Sequence, residues 1–150
     1  MQHPSPRTQS YHSVVEVTIM SGRDFPKMDL NGSADPFCTV SLGERKLHTT
    51  NVIRKNRSPV WMETCRVLVP ELEKNYALLF DVWDWDKASS NDYIGQAKLE
   101  LSDIHATKQF EGWFPVTMLK KNKTKSRGEI QIKYRVYTAE GTPRSSPIHK

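Results

Sequence analysis

The sequence predicts an all-β fold, an eight-stranded antiparallel Greek-key β-sandwich, from three observations. Short runs rich in Val, Ile, Thr and aromatic residues recur at a spacing of roughly ten residues, with turn residues between them, as is typical of sandwiches. In residues 128–137 ("GEIQIKYRVY"), Ile130, Ile132, Tyr134 and Val136 alternate with polar residues, the pattern of a strand with one buried face. Hydrophobic residues make up 37% of the 150 residues, which suits one soluble domain with a core.

Each predicted strand is a run of apolar, β-branched or aromatic residues bounded by turn residues. The segment "SDIHATKQFEG" (102–112) predicts a helical turn capped by Ser102. Residues 1–12 and 139–150 are polar and contain prolines, which predicts flexible tails on either side of a domain at 13–138. The predicted strands are, in chain order, "SVVEVTIM" (13–20), "PFCTVSL" (36–42), "KLHTTNVI" (46–53), "WMETCRVLV" (61–69), "YALLFDVW" (76–83), "YIGQAKLEL" (93–101), "GWFPVTM" (112–118) and "GEIQIKYRVY" (128–137).

The two cysteines, Cys38 and Cys65, lie inside apolar strand-like runs. This position predicts buried free thiols in a reducing compartment, and a disulfide between them is the less favoured alternative. No apolar run approaches the roughly 18 residues that a membrane span needs, and the polar start has no hydrophobic segment of a signal peptide. We therefore expect a cytoplasmic protein that contacts any membrane at its surface and does not span it.

The net charge of +5 and a pI near 9.2 favour an acidic partner, which leaves a membrane surface, nucleic acid or an acidic protein. Nucleic acid is not expected, because no exposed aromatic residues are interleaved with the basic runs as a stacking platform. The chain has no G-x-S-x-G, P-loop, H-E-x-x-H or C-x-x-C motif, and its five histidines are scattered. The sequence therefore predicts a binding module rather than an enzyme.

Strand direction places the charged connections together. If successive strands run antiparallel, the first, third, fifth and seventh connections lie at the same end of the sandwich. The first and fifth connections are acidic, and the third and seventh are the most basic in the chain. These four connections are residues 21–35, 54–59, 84–92 and 119–127.

Five carboxylates at one end would repel each other strongly unless a cation neutralised them. Carboxylate and carbonyl oxygens are the ligands of calcium, and five carboxylates exceed what one ion uses, so two or three ions are expected. Aspartates also suit turns for structural reasons alone, and this alternative stays open for each of them. The five are Asp29 and Asp35 in the first connection and Asp84, Asp86 and Asp92 in the fifth.

Three segments in order resemble the C2 domain, the calcium- and phospholipid-binding β-sandwich: "MDLNGSADPFCTV", "RKNRSPVWMET" and "DVWDWDKASSNDYIG". The resemblance covers residues 13 to about 138 and implies the circularly permuted, type II topology. It also implies calcium ligation, with Ser89 at a position that often adds an oxygen ligand. Thr49 and Asn51 stand where some members carry lysines for phosphoinositides, which argues against a dedicated pocket of that kind. A weaker version of it, built on Arg45, Lys46, Lys55 and Trp83, stays open. The implied aspartate ligands are Asp29, Asp35, Asp84, Asp86 and Asp92.

The resemblance implies calcium-dependent binding to anionic phospholipid membranes with phosphatidylserine-type headgroups, by a monomer that is recruited reversibly from the cytoplasm. Met28 and Leu30 at the tip of the first acidic loop are the residues expected to insert. The alternative is a calcium-independent module that binds a protein partner or the rest of a host chain. The basic residues expected at the membrane are Arg54, Lys55, Arg57, Lys121, Lys123, Lys125 and Arg127.

Overall fold

The structure, a computed structural model, describes residues 13–69 and 76–138. Both predicted tails lie outside the described residues. All eight predicted strands are present, together with one short helix. In chain order the elements are β1 (Ser13–Arg23), β2 (Pro36–Leu42), β3 (Arg45–Thr49), β4 (Val60–Val69), β5 (Ala77–Asp84), β6 (Asp92–Glu100), α1 (Leu101–Thr107), β7 (Gln109–Lys120) and β8 (Lys123–Thr138).

The strands form a near-closed sandwich in the order β3-β2-β5-β6-β7-β8-β1-β4, and every pair of neighbours is antiparallel. Odd- and even-numbered strands alternate along this order, so all odd-numbered strands run in one direction. The first, third, fifth and seventh connections therefore lie at one end, as the sequence predicts. We call this end the loop end. The type II assignment stays a prediction.

The core follows from the alternation of each strand. Every second residue is buried throughout β5, from Ser13 to Ile19 in β1 and from Ile130 to Val136 in β8. The four residues that predict the buried face of β8, Ile130, Ile132, Tyr134 and Val136, are all in the core. Each aliphatic side chain that is fully buried contributes about 1.5–3 kcal/mol relative to leaving it exposed. The apolar alternation therefore both selects the strands and closes the two layers on each other.

The seventh connection differs from its prediction as a loop at 119–127. β7 and β8 continue through it as paired strands, and only Lys121 and Asn122 form the turn. Both turn residues have positive φ, 52° and 62°, which is the conformation of a type I′ hairpin turn. Exposed lysines and threonines can continue a hairpin without packing against a core. The run of basic residues therefore does not mark the end of the two strands, and its prediction as a loop was wrong. We call residues 117–126 the basic arm.

Two further details of secondary structure correct the sequence prediction. The helix has Glu100 at its N-cap, with no side-chain cap, so Ser102 does not cap it, and the burial of Leu101 and Ile104 holds the helix instead. β3 ends at Thr49 rather than residue 53, because Thr50 bonds back to the backbone of Cys38 and turns the chain.

Both thiols are free. Cys38 is buried, and burial raises the pKa of its thiol well above its usual value. Cys65 is only half-buried, which corrects the expectation of a buried side chain: it points to the core side of β4 with Val67, but β4 is the last strand in the sheet order and covers it incompletely. Burial nevertheless raises the pKa of Cys65 to about 11. Neither thiol is therefore a ready nucleophile at neutral pH.

Gly128 in β8 is expected to be the glycine most sensitive to substitution. Its φ is +99°, and a Cβ built there would lie 2.6 Å from the carbonyl oxygen of Arg23 and 2.8 Å from that of Asp24. We expect Gly128→Ala to lower the free energy of unfolding by about 2 to 4 kcal/mol, measured by urea denaturation, from strain and overpacking together.

Gly43→Ala is the matched control for Gly128. Gly43 also has a positive φ, +59°, but the nearest atom to a built Cβ is Cδ2 of Tyr76 at 3.9 Å. Its substitution should cost only about 1 kcal/mol, from the backbone conformation alone. Equal losses for the two variants would contradict the steric argument at Gly128.

Candidate calcium site

The first acidic loop, residues 24–35, is folded around Asp29. Oδ1 of Asp29 accepts the backbone N–H groups of Asn31 and Ser33, both at 2.9 Å. Gly32, at φ +76°, permits the tight turn between them, and its N–H donates to the carbonyl of Asp29 at 3.1 Å. These bonds fix the direction of the Asp29 carboxylate at the loop end.

Asp35 and Asp84 connect three loops to one another. The N–H of Asp35 donates to Oδ1 of Asp84 at 2.7 Å, and the N–H of Lys55 donates to Oδ1 of Asp35 at 2.6 Å. The N–H of Trp85 donates to the carbonyl of Asp35 at 2.9 Å. The first acidic loop, the basic third connection and the end of β5 are therefore joined through these two aspartates.

Asp86 organises the second acidic loop, residues 85–91. The N–H of Ala88 donates to Oδ1 of Asp86 at 2.8 Å, and the Ser89 hydroxyl donates to Oδ2 at 3.0 Å. Asp92 opens β6 directly opposite Asp84 in the register of β5 and β6. Ser89 therefore orients Asp86, while its role as a metal ligand stays a prediction.

All five predicted aspartates line one pocket of about 220 Å³. Lys87 also lines this pocket and was not among the predicted site residues, although its place directly after Asp86 in the chain is a signal for it. In the part of the chain that the structure describes, no three His, Cys, Asp or Glu side chains are arranged to hold a metal ion. The aspartates thus share a pocket without enclosing one point. The pocket is lined by Met28, Asp29, Asp35, Arg54, Asp84, Trp85, Asp86, Lys87 and Asp92.

Of the five aspartates, Asp84 is the one that is buried. Burial raises the pKa of Asp84, and the charges of Asp35, Asp92 and Asp29 raise it further, against the opposing N–H of Asp35. The pKa of the accessible Asp86 is lowered instead, by the N–H of Ala88 and the Ser89 hydroxyl. A hard cation in this pocket would remove the repulsion at Asp84. Oxygen donors of this charge and type fit calcium.

The residues predicted at the membrane fall into two groups. Leu30 at the tip of the first acidic loop is fully exposed, and Arg54, Lys55, Lys121, Lys123 and Lys125 are exposed too. Arg54 lies over the ring of Trp85, 5.3 Å from its centroid.

The remaining three, Met28, Arg57 and Arg127, are half-buried. Nε of Arg57 donates to the carbonyl of Phe25 at 2.6 Å, and Nε of Arg127 donates to that of Ile94 at 2.9 Å. Nη2 of Arg127 also lies 3.7 Å from the sulfur of Met28. These side chains brace the loop end from within, and a membrane contact for them stays a prediction.

An antiparallel β-sandwich with aspartates gathered from two loops at one end defines a class of non-catalytic binding domains. The sequence profile of the C2 domain matches residues 13–116. The chain belongs to the C2 domain family.

Curated relatives confirm this membership. Ras GTPase-activating protein 4 of Mus musculus is 34% identical over 132 residues, covering 83% of this chain and 16% of that protein. Tricalbin-3 of Saccharomyces cerevisiae is 31% identical over 107 residues, covering 71% of this chain and 7% of that protein. The C2 and GRAM domain-containing protein At1g03370 of Arabidopsis thaliana is 35% identical over 122 residues, covering 79% of this chain and 12% of that protein. The chain thus spans a small part of these relatives' length.

Solved structures agree on the fold. A C2 domain of plant Extended Synaptotagmin 1 has a TM-score of 0.68 and 26% identity, over 84% of this chain and 95% of that one. The paired, calcium-bound C2 domains of Extended-Synaptotagmin 2 have a TM-score of 0.72 and 20% identity, over 91% of this chain and 48% of that one. Within the described residues, no helix has the length and apolar character to cross a membrane.

Proposed function

We propose that this domain binds calcium through Asp29, Asp35, Asp84, Asp86 and Asp92 and, with calcium bound, attaches to anionic phospholipid membranes. The observation that carries the proposal is the one pocket that the five carboxylates share, in which burial and then three neighbouring carboxylates raise the pKa of Asp84. Two or three ions are proposed because five carboxylates exceed the share that one ion takes from a protein. Ser89 is proposed as an additional oxygen ligand.

The residues of the pocket have two different roles. Asp35 and Asp84 hold the two acidic loops together, because the N–H of Asp35 donates to the Asp84 carboxylate and the N–H of Trp85 donates to the carbonyl of Asp35. Asp29, Asp86 and Asp92 are exposed enough to adjust around a cation with flexible geometry. Calcium supplies positive charge at this end and coordination positions for the phosphate or carboxylate oxygens of lipid headgroups. The loop end then changes from repelling an anionic surface to attracting it.

Exposed residues around the pocket support the same orientation. Leu30 is fully exposed at the tip of the first acidic loop, where it can enter the headgroup region. Arg54 and Lys55 lie beside the pocket, and each basic residue near an anionic surface contributes roughly 1 kcal/mol, screened by salt. Insertion should be shallow, because Ala88 and its neighbours in the second acidic loop offer little apolar surface.

The domain is proposed to span residues 13–138, beyond the end of the family match, because β8 pairs with both β7 and β1. We propose a monomer that moves reversibly from the cytoplasm to a membrane and carries with it any host protein of which it is a part. Phosphatidylserine-type headgroups are the proposed target.

Calorimetric titration with calcium and sedimentation with phosphatidylserine vesicles test the proposal directly. Heat of binding in the absence of lipid, and sedimentation in calcium but not in chelator at physiological salt, are the expected results. A flat titration with equal sedimentation in both conditions would exclude the calcium site. It would favour the alternative, a calcium-independent module for a protein partner.

A further inference from the structure

The basic arm projects from the sandwich as a two-stranded ribbon. β6 pairs with β7 only at Gln96 and Thr117, and β1 pairs with β8 only as far as Glu129. Beyond those points β7 and β8 pair with each other, and residues 119–126 are all exposed. The arm therefore extends past the core at the loop end, where the calcium pocket lies.

The register divides the arm into two unlike faces. Partners in an antiparallel pair point to the same side, and successive residues alternate between sides. One face, the cationic face, carries three lysines beside one methionine, whereas the other carries no charge. The cationic face is Met118, Lys120, Lys123 and Lys125, and the uncharged face is Thr117, Leu119, Thr124 and Ser126.

The lysines of the cationic face are directly juxtaposed. Lys120 lies opposite Lys123, and Lys125 follows Lys123 on the same side of β8. Like charges directly opposite each other destabilise a two-stranded ribbon, so the pairing of Lys120 with Lys123 lowers the stability of the arm. A bound anion would offset this loss. Residues 117–127 include no aspartate or glutamate that could serve as that anion.

The cationic face lies on the core side of the arm. Val116 in β7 is buried, and the alternation of β7 places Met118, together with its partner Lys125, on the same side as Val116. The guanidinium of Arg127 contacts the carbonyl of Ile94 and the sulfur of Met28, and Met28 lines the pocket. Arg127 at the base of the arm therefore joins the arm to a residue of the calcium pocket, and the three lysines extend from there into solvent.

We propose that the cationic face of the basic arm is a calcium-independent binding surface for the phosphate groups of anionic lipids. The choice of a membrane as the partner rests on the proposed function, whereas the binding surface itself does not depend on the calcium site. The face is a flat ribbon without a pocket, and lysine binds phosphate as a point charge. It therefore recognises the density of negative charge on a membrane rather than one headgroup. Lys121 belongs to the turn and is not part of the face.

A membrane is favoured over nucleic acid as the partner. Residues 117–127 contain no aromatic side chain, so the arm offers no platform on which bases could stack. The arm also shares the loop end with fully exposed Leu30, which suits a lipid surface.

The test measures sedimentation of the 150-residue chain with vesicles in chelator at low salt. Two vesicle compositions are used, phosphatidylserine and phosphatidylinositol bisphosphate in phosphatidylcholine, matched for surface charge. The parent is expected to bind both equally. Lys120→Gln, Lys123→Gln and Lys125→Gln together should weaken binding on the order of 100-fold, and less at physiological salt. A strong preference for one headgroup, or an unchanged affinity in the triple variant, would overturn the proposal.

A charge-matched control replaces Lys98, Lys108 and Lys133, which lie elsewhere on the sandwich, with glutamine. Both triple variants lower the formal net charge by three, from +5 to +2. Both triple variants are also compared at physiological salt, where the screening length is about 8 Å. There the control should lose less than about threefold, because exposed charges farther than this from the membrane contact contribute little. Equal losses in the two variants would show that only net charge matters, and would overturn the proposal.

A second variant keeps the composition and moves the charge. Exchanging the residues at 119 and 120 and those at 123 and 124 (L119K, K120L, K123T and T124K) transfers two lysines to the other face within the same register. Binding in chelator should fall at least about tenfold if the side of the arm matters. Unchanged binding, or competition by a single-stranded oligonucleotide that exceeds competition by vesicles, would contradict the proposed surface.

These experiments test the basic arm and the calcium site separately. Parent protein in chelator tests the arm without calcium. Calcium titration of the arm variant without lipid tests the pocket without the arm, and should match that of the parent. Absence of parent binding in chelator, together with a normal calcium titration, would therefore exclude the arm alone.

Discussion

Asp86→Asn is expected to abolish calcium-dependent binding to phosphatidylserine vesicles while the fold stays intact. Asp86 lines the shared pocket between Asp84 and Asp92 in the chain, which places it to serve more than one ion. Asparagine keeps an acceptor for the N–H of Ala88 but removes the charge that calcium requires. Loss of a ligand should lower calcium affinity by at least about 100-fold, since even supporting partners of metal ligands cost 10- to 100-fold.

Asp103→Asn is the matched control for this substitution. Asp103 is an exposed aspartate in α1, and α1 joins β6 to β7 at the end opposite the loop end. It makes the same change of charge without touching the pocket. Sedimentation in calcium and in chelator is measured for both variants, with circular dichroism to verify the fold. Persistent calcium-dependent sedimentation of Asp86→Asn would remove this residue from the site.

Calcium is expected to raise the melting temperature of the domain substantially. A ligand that binds only the folded state stabilises it by about 2.7 kcal/mol at 100 times its dissociation constant. For a domain of this size that is on the order of 10 °C. Thermal melts in calcium, in magnesium and in chelator give the measurement. Identical melting temperatures in calcium and chelator would contradict the metal site.

In the same assay, Asp84→Asn separates the destabilising effect of the ionised Asp84 side chain from the stabilising effect of calcium. The pKa of Asp84 is raised in the folded state, so its ionised form opposes folding at neutral pH, and this penalty is lost as pH falls through the raised pKa. In chelator at pH 7 the variant should therefore be at least as stable as the parent, because the amide oxygen of the new asparagine can still accept the N–H of Asp35.

In calcium the order should reverse, since the variant lacks a buried ligand. As pH falls from neutral in chelator, the parent should approach the stability of the variant. A variant that is less stable than the parent in chelator would show that the Asp84 charge supports the fold without a cation.

Much of the fold could be predicted because its cause is local. Alternation of apolar and polar residues selects one buried face, and in β8 the four predicted core residues are all buried. Antiparallel neighbours then fix which connections share an end, so the meeting of Asp29 with Asp84 follows from strand count alone. The limits of strands are weaker signals, and the basic arm was predicted as a loop because charged residues without a core carry no alternation of burial.

The sequence by itself determined the β-sandwich and the five aspartates at one end, because apolar periodicity and hairpin parity do not depend on side-chain geometry. The C2 domain family followed from the resemblance of three motifs. Only the tertiary structure decided what each charge touches. It turned Arg57 and Arg127 inward onto backbone carbonyls, and it buried Asp84 beside Asp35. It also placed Lys120, Lys123 and Lys125 on one face of the arm. Contacts between residues far apart in the chain set these outcomes, and burial and register exist only once the strands have paired.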